Sequence, residues 1–312
     1  MKKLKHKSMK MVYLGICVSL LCLVVPVHST NNTYESEGSP LPATHTVLVE
    51  ACTASFCSPC AVAAAYMHDI YESGQYDFNY VALVSDKNPY ASQRCAELGV
   101  SGIPDYVFDG DYTRWVGSGG LPGAYTSRLT ACEKRTVADV EFILDVTWLE
   151  NGKLDVIVDL INIEETPYVG HLHAYVTEME SRWDTYSGQP YHFAMIGNYP
   201  LNQDVTVPAQ DSLRYAVVWD GASYGFSDIQ RDNIAVIVTV FDKTSGFVDD
   251  TASVLPRLAG DVTGDDVVDV LDLLEILAAW DETGDPGWIA ADVTDDGVVD
   301  VLDLLEVLAY WS

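Results

Sequence analysis

The sequence Val47-Leu-Val-Glu-Ala-Cys-Thr-Ala-Ser-Phe-Cys-Ser-Pro-Cys60 begins as an apolar run and ends in two cysteines separated by Ser-Pro. The first three residues predict a short buried strand, and the alanine-rich segment 61–71 predicts a helix. Cys57 would then lie at the N-terminus of that helix. Unpaired N–H groups and the helix dipole stabilise an anion there, so a thiol ionises more readily than at its usual pKa of about 8.5.

This cysteine pair allows three interpretations. In the first, the Cys57 thiolate attacks a disulfide, and Cys60, one helical turn further on, resolves the mixed disulfide that results. In the second, the two cysteines form a structural disulfide. In the third, they bind copper or zinc together with Cys52, although no histidine lies beside them in the sequence to complete such a site.

The segment resembles the thioredoxin superfamily over residues 45–135. The resemblance rests on Phe56-Cys-Ser-Pro-Cys60 after a hydrophobic strand and on Leu98-Gly-Val-Ser-Gly-Ile-Pro104 before the next strand. It implies an α/β thioredoxin-like domain in which the bond before Pro104 is cis and this proline packs against the cysteine pair. The catalytic residues that it implies are Cys57, Cys60, Pro104 and Glu50. Glu50 lies seven residues before Cys57, whereas the family's buried acid lies six residues before the first cysteine.

The remaining elements of this segment follow from the hydrophobic pattern. It predicts a strand at 80–84, a helix at 90–98, a hairpin formed by 106–108 and 114–116, and a closing helix at 121–132.

The 312 residues are too many for one ordinary core and suggest two or three domains. Residues 1–29 have a basic start followed by an apolar core, which predicts a signal peptide, with a retained membrane anchor as the alternative. Residues 30–44 are polar and aperiodic and predict a flexible lead-in. The protein is therefore expected to be secreted or to lie in the periplasm or cell envelope, with no membrane span after signal cleavage.

The formal net charge of −29 makes nucleic acids and anionic membranes poor partners and cations good ones. Removal of the signal peptide would leave five cysteines, an odd number, so at least one is free, intermolecular or cycling. Cys95 and Cys132 are either bridged or buried as thiols, and the sequence leaves the pairing open.

From residue 137 to about 254 apolar residues alternate with polar ones, which predicts eight strands. The predicted strands are 137–148, 153–163, 171–179, 192–196, 204–207, 213–219, 234–241 and 247–253. With no cysteine in this stretch, the segment 136–256 resembles an all-β immunoglobulin-like sandwich without the usual disulfide. His171 and His173 share one face of a strand and are a candidate metal site with His192; surface or core histidines are the alternative.

Near the C-terminus, a twelve-residue segment beginning at Asp261 recurs 31 residues later, beginning at Asp292. Oxygen-bearing residues at positions 1, 3, 5, 9 and 12, with a backbone carbonyl at position 7, suit Ca²⁺. The predicted ligands are Asp261, Thr263, Asp265, Val267, Asp269 and Asp272 in the first loop and Asp292, Thr294, Asp296, Val298, Asp300 and Asp303 in the second. Because each loop holds four carboxylate ligands, we expect two calcium ions to be needed for folding.

These repeats resemble a type I dockerin over residues 260–312, a small α-helical calcium-binding domain. The resemblance implies a cohesin-like scaffold module as the partner. Asp266 stands at position 6 of the first loop, where glycine is usual, and Val270-Leu271 and Val301-Leu302 stand at positions that are often polar in the family. Because the helices are apolar nearly all round, they should leave a hydrophobic surface free. A calcium-bound cap without a partner is the alternative.

Two functional hypotheses follow. The first is an exported thiol-disulfide oxidoreductase that acts on a protein or peptide disulfide and carries a calcium-dependent docking tail. The second is a non-enzymatic binding or structural component of an extracellular assembly, such as one that degrades polysaccharides. A glycosidase is disfavoured, because residues 45–255 show no patterned pair of carboxylates.

Overall fold

A computed structural model describes most of the chain. The described residues are 43–149, 152–284, 289–294 and 296–311. The predicted signal peptide and all but the last two residues of the predicted lead-in lie outside them. Within the described ranges, no helix has both the length and the apolar character that a bilayer span requires.

The first part of the described chain alternates strands and helices. Its elements are β1 (Val47–Thr53), α1 (Ser58–Glu72), β2 (Phe78–Val84), α2 (Pro89–Glu97), β3 (Asp105–Phe108), β4 (Thr113–Val116) and α3 (Gly123–Cys132). Strand β1 is parallel to β2 on one side and antiparallel to β3 on the other, and β4 follows β3 at the edge. Every element that the sequence predicted here is present. Pro59 lies in the first turn of α1, where its missing N–H costs no hydrogen bond.

The next part consists of strands, and their number is the predicted eight. They are β5 (Val140–Leu149), β6 (Lys153–Asn162), β7 (Tyr168–Asp184), β8 (Pro190–Met195), β9 (Asn202–Val207), β10 (Asp211–Asp220), β11 (Ile234–Asp242) and β12 (Val248–Val254). Strand β7 is longer than its alternating pattern predicted, because it pairs with three strands, β8, β9 and β11.

These strands form two layers around one core. Strands β10, β6 and β5 lie in a four-stranded sheet, whose fourth strand is the short β13 (Arg257–Leu258) beside β5. The opposite layer contains β7, β9, β11 and β12. Buried side chains of both layers meet between them, among them Leu154, Leu160, Leu172, Val236 and Val238.

The second layer continues into the α/β part as a single nine-stranded sheet. Its order is β12-β11-β7-β8-β2-β1-β3-β4, with β9 beside β7. The junction is the parallel pairing of β2 with β8, in which Ala82 lies opposite Ala194. A second core also crosses the junction, because Leu48 and Leu83 pack with Tyr175 and Ile237. The segments predicted as separate domains at 45–135 and 136–256 therefore share a sheet and a core.

The C-terminal part contains two short helices, α4 (Val270–Ala278) and α5 (Val301–Ala309). Its core is small and includes Ile276 and Val307. Gly260 turns the chain from β13 into this part with a φ of +83°, and a Cβ at this position would lie 3.2 Å from Cα of Val307. A larger residue would therefore be strained in its backbone and crowded by α5.

Candidate functional site

The cysteine pair lies at the start of α1, as the sequence predicted. Cys57 is the N-cap residue of this helix, and its Sγ accepts a hydrogen bond from the N–H of Cys60 at 3.2 Å. The two cysteines form a disulfide. Cys57 is 7% exposed and Cys60 is fully buried, so Cys57 is the more accessible residue of the pair. The N-terminal amide that would stabilise a Cys57 thiolate is thus already in place.

The loop before β3 closes over this pair. The bond between Ile103 and Pro104 is cis, as the resemblance implied. Ile103 packs against Ala54, Cys57 and Cys60, and Pro104 is buried beside it. The structure therefore brings the two distant motifs of the sequence together.

Glu50, which the resemblance implied to be catalytic, takes part in a buried ion pair. It lies on the face of β1 that turns away from α1, with both carboxylate oxygens held by the Arg94 guanidinium at 2.7 and 3.0 Å. The Tyr175 hydroxyl donates a further hydrogen bond at 2.9 Å. Glu50 is therefore one half of a buried ion pair, and its partner Arg94 is a residue that sequence reasoning missed.

Another buried acid lies next to Pro104. Asp105 faces Cys52 across the β1–β3 pairing, and Arg114 donates to its Oδ2 at 3.2 Å. Its Oδ1 is buried and has no hydrogen-bond partner among the described residues. Burial raises the pKa of Asp105, although the Arg114 charge acts to lower it. Apart from its position after the proline, no sequence pattern identified this residue.

The other cysteines are paired in a way that the sequence left open. Cys52 on β1 forms a disulfide with Cys95 on α2, and Cys132 is a free, buried thiol. Burial and the nearby Asp109 carboxylate raise the pKa of Cys132 far above its usual value, so this thiol is unreactive. With Cys52 in a disulfide, the interpretation of Cys52, Cys57 and Cys60 as a metal site has no thiolate ligand in this state.

The three candidate metal-binding histidines do not converge on one site, although the rings of His171 and His173 lie 4.8 Å apart. His171 bonds Asp204 through Nδ1 at 2.6 Å, and His173 is buried between aromatic rings. Burial, reinforced by Arg94, lowers the pKa of His173 well below its usual value. His192 stacks on His68 of α1, with ring centroids 3.5 Å apart. Within the described residues, no three His, Cys, Asp or Glu side chains converge as a preformed metal cluster.

The C-terminal loops also contain no such cluster among the described residues. Their predicted ligand set includes threonine hydroxyls and backbone carbonyls besides the carboxylates. Each loop nevertheless buries its first and last carboxylates: Asp261 and Asp292 are 3% and 4% exposed, and Asp272 and Asp303 are fully buried. Backbone N–H groups donate to all four. Amides carry only partial charge, so each buried carboxylate retains a net charge that a bound cation would neutralise.

The hydrogen bonds also draw the predicted ligands together. Thr263 Oγ1 donates to Asp272 Oδ1 at 3.1 Å, and Thr294 Oγ1 donates to Asp303 Oδ1 at 2.9 Å, so positions 3 and 12 meet across each loop. The position-9 residues, Asp269 and Asp300, are the N-caps of α4 and α5. Position 12 completes a capping box in both helices. The donor set therefore fits a hard cation, and the same carboxylates start the helices.

Hydrogen bonds favour the ionised form of Asp272, the position-12 carboxylate of the first loop. Burial acts to raise the pKa of Asp272, but hydrogen bonds from the N–H groups of Asp269, Thr263 and Val262 and from the Thr263 hydroxyl outweigh it, and the pKa is lowered. The ionised form, which is the form that binds a cation, is favoured.

Position 6 has a left-handed backbone in both loops, with a φ of +67° at Asp266 and +86° at Gly297. Asp266 also reaches the β-rich part of the chain, because Arg231 donates to its carboxylate at 2.8 Å and to the carbonyl of Pro256 at 3.1 Å. The residue that replaces the usual glycine therefore attaches the first loop to the β-rich part.

Asp266 has two opposing effects on stability, the cost of its left-handed backbone and the gain from its ion pair with Arg231. Substitution can separate them. In an Arg231→Ala background, we expect Asp266→Gly to stabilise the C-terminal part by about 1 kcal/mol, because glycine removes the left-handed backbone cost. In the native background, the gain should be smaller by about 0.2–1 kcal/mol, the value of an exposed ion pair. Urea unfolding at saturating calcium, followed by tryptophan fluorescence, measures both values. Equal gains in the two backgrounds would mean that the ion pair contributes nothing.

The two C-terminal helices present the exposed apolar surface that the sequence predicted. Four equivalent aliphatic residues of each helix are 46–54% exposed. They are Val270, Leu271, Leu274 and Leu277 on α4 and Val301, Leu302, Leu305 and Leu308 on α5, here called the repeated apolar face. Trp280 and Trp311, which follow the helices, are also exposed. An apolar surface of this kind marks an interaction site more often than an inert one.

Comparisons with known proteins find a family match for the C-terminal part of the chain and similar solved structures. Residues 259–311 match the family model of the dockerin type I domain. No curated protein matches the chain. Among solved structures, HBP35 of Porphyromonas gingivalis is similar at 15% identity with a TM-score of 0.53, over 70% of this chain and 77% of that chain. This likeness shows the fold of the matched part alone.

Two other solved structures are more distantly similar. One is a protein from Agrobacterium tumefaciens, with 14% identity, a TM-score of 0.43, and coverage of 70% of this chain and 97% of that chain. The other is a domain of the outer membrane lipoprotein Omp28 from Porphyromonas gingivalis, with 14% identity, a TM-score of 0.26, and coverage of 39% and 92%.

Proposed function

We propose that this protein is a component of an extracellular assembly that docks through residues 259–311 and carries a thiol-disulfide exchange site at Cys57 and Cys60. A dockerin type I domain binds calcium and docks to a cohesin scaffold, and proteins that carry one are typically extracellular or part of a cell-surface assembly. The exchange site is the finer part of the proposal, together with a thioredoxin-like arrangement at 45–135, an immunoglobulin-like sandwich at 136–256, and one calcium ion in each loop.

For docking, the repeated apolar face is the supporting observation. Its eight aliphatic side chains are about half exposed although each helix buries another apolar residue, Ile276 or Val307, in the core between them. Leu271 and Leu302, at position 11 of the two loops, occupy equivalent places on the two helices. A partner that covers either helix would bury apolar surface, and each Å² buried would contribute about 25 cal/mol to the free energy of binding.

The docking proposal predicts a particular pattern of binding losses. We expect Leu271→Lys or Leu302→Lys alone to weaken capture by a cohesin module less than both together, because the two helices present the same residues. The double variant should lose about 30-fold or more, the effect of burying an unpaired charge at an interface hot spot. Isothermal titration against a panel of cohesin modules in calcium measures this loss.

Leu255→Lys is the matched control, because Leu255 is 57% exposed and lies outside both helices. If the double variant bound as well as the Leu255→Lys variant, the repeated apolar face would not be the docking surface.

For redox exchange, the supporting observation is the Cys57 sulfur at the helix N-cap, where it accepts a hydrogen bond from the Cys60 N–H, in the more exposed residue of the pair. In the proposed reaction, a substrate thiolate attacks Sγ of Cys57, the disulfide breaks, and Cys60 leaves as a thiolate that takes up a proton. A second substrate thiolate then displaces Cys57, so the substrate dithiol is oxidised and the cysteine pair is reduced. The reverse sequence reduces a substrate disulfide, and relative reduction potentials set the direction.

We expect mild dithiol treatment of the native protein to open Cys57–Cys60 before Cys52–Cys95. Alkylation followed by mass mapping identifies the opened pair. The Cys57→Ser variant should lose dithiol-dependent reduction of a model protein disulfide, whereas Cys132→Ser, which removes the buried free thiol, should not. A Cys57–Cys60 bridge that resists dithiols in the folded protein would rule out the exchange reaction and leave docking alone.

A further inference from the structure

A tyrosine from the β-rich part reaches the turn that carries the cysteine pair. Tyr191 lies on β8, the strand that pairs with β2, and its side chain is almost completely buried. Its hydroxyl donates a hydrogen bond to the carbonyl of Ala54 at 3.0 Å and lies 2.8 Å from the hydroxyl of Thr53. Because Tyr191 has a single proton to donate, the Thr53 hydroxyl is the donor in the second contact.

The carbonyl of Ala54 has two donors. Besides the Tyr191 hydroxyl, it accepts the backbone N–H of Cys57 at 3.1 Å, the hydrogen bond that closes the turn from β1 into α1. Cys57 in turn caps α1 through the bond from the Cys60 N–H to its Sγ. A continuous chain of hydrogen bonds therefore runs from the Tyr191 hydroxyl through Ala54 and Cys57 to Cys60.

We propose that Tyr191 is a positioning residue for the cysteine pair: it holds the Ala54–Cys57 turn so that Sγ of Cys57 lies at the N-terminus of α1. The inference rests on the proposed exchange function. It adds a residue outside the predicted limits of the redox segment and makes the β-rich part necessary for the chemistry. Tyr191 does not touch the substrate and does not itself react.

The loss of the Tyr191 hydrogen bond is expected to affect the reduced protein more than the disulfide form. In the disulfide state, the covalent bridge helps to hold Cys57. After reduction, the turn and the amide contacts alone keep the thiolate at the helix N-terminus, where it is stabilised. Without the Tyr191 hydroxyl the turn loosens, the thiolate is less stabilised, and the reduced form becomes less favourable relative to the disulfide.

The test is Tyr191→Phe in the full-length protein with calcium present. We expect the pKa of the Cys57 thiol, measured from the pH dependence of its alkylation, to rise by roughly half a unit. The equilibrium constant for reduction by glutathione should fall about three-fold, which corresponds to a reduction potential about 14 mV more negative. Tyr199→Phe is the matched control, because the buried Tyr199 hydroxyl has no hydrogen-bond partner among the described residues.

A second variant, Thr53→Val, tests the proposal even if Tyr191→Phe does not fold. Thr53→Val keeps the volume of a buried side chain while removing the hydroxyl that donates to Tyr191, and it should shift both readouts in the same direction by a smaller amount. If Tyr191→Phe folds and gives the same thiol pKa and glutathione equilibrium as Tyr199→Phe, the positioning role is wrong although the exchange function stands. If the unaltered pair does not exchange with glutathione at all, the exchange function itself has failed.

Discussion

Chelation of calcium is expected to unfold residues 260–311 of the intact protein while the β-rich part stays folded. The four carboxylates at positions 1 and 12 of the two loops are buried, and backbone amides alone do not balance four negative charges. The small core around Ile276 and Val307 offers little apolar area to offset this repulsion. Calcium binding and folding of this part should therefore be a single event.

The measurement is limited proteolysis and tryptophan fluorescence in calcium and in excess chelator. Asp272→Ala and Asp303→Ala, each of which removes one position-12 ligand, should weaken calcium binding by about two orders of magnitude, because charge count sets affinity in such loops. Asp228→Ala is a suitable control, since this aspartate is exposed and lies outside the loops. A C-terminal part that stayed protease-resistant in chelator would contradict the expectation.

Glu50→Ala is expected to lower the free energy of unfolding by about 3–5 kcal/mol. The substitution removes both Glu50 oxygens that Arg94 contacts. The guanidinium, whose side chain is only 12% exposed, keeps only the longer contact with the exposed Glu97 carboxylate. It also removes the acceptor of the Tyr175 hydroxyl. Urea unfolding in saturating calcium measures the change.

Two further variants test this explanation. Glu97 is the second acid beside Arg94, at 3.4 Å, and its side chain is 40% exposed, so Glu97→Ala should cost less than about 1 kcal/mol. The double variant Glu50→Leu, Arg94→Leu should cost less than Glu50→Ala, because no charge is left buried. If Glu50→Ala cost no more than Glu97→Ala, the ion pair would not be a major source of stability.

The sequence predicted well what depends on near neighbours in the chain. The apolar pattern identified all eight strands between residues 137 and 254, although β11 is buried on both faces and is a nearly continuous apolar run. The C-terminal repeat was equally clear, because a twelve-residue segment recurs 31 positions later, and residues 259–311 match the dockerin type I family model. The N-cap position of Cys57 followed from the strand-to-helix change beside it.

The features that were not predicted join residues far apart in the chain. Arg94, the partner of Glu50, is 44 residues away, and Tyr191 is 137 residues from Ala54. The pairing of Cys52 with Cys95 depends on how α2 lies against β1. The pairing of β2 with β8, the strand that carries Tyr191, has no local signature either, because any apolar strand has edges that can accept a neighbour.

The β2–β8 pairing also affects the order in which the chain can reach its native state. Residues 78–84 emerge during synthesis or translocation long before residues 190–195, so the outer edge of β2 stays unpaired until more than a hundred further residues have followed. An open, apolar strand edge is a site of misassociation between chains. A chaperone that shields this edge of β2 would therefore be most useful until residues 190–195 are available to pair with it.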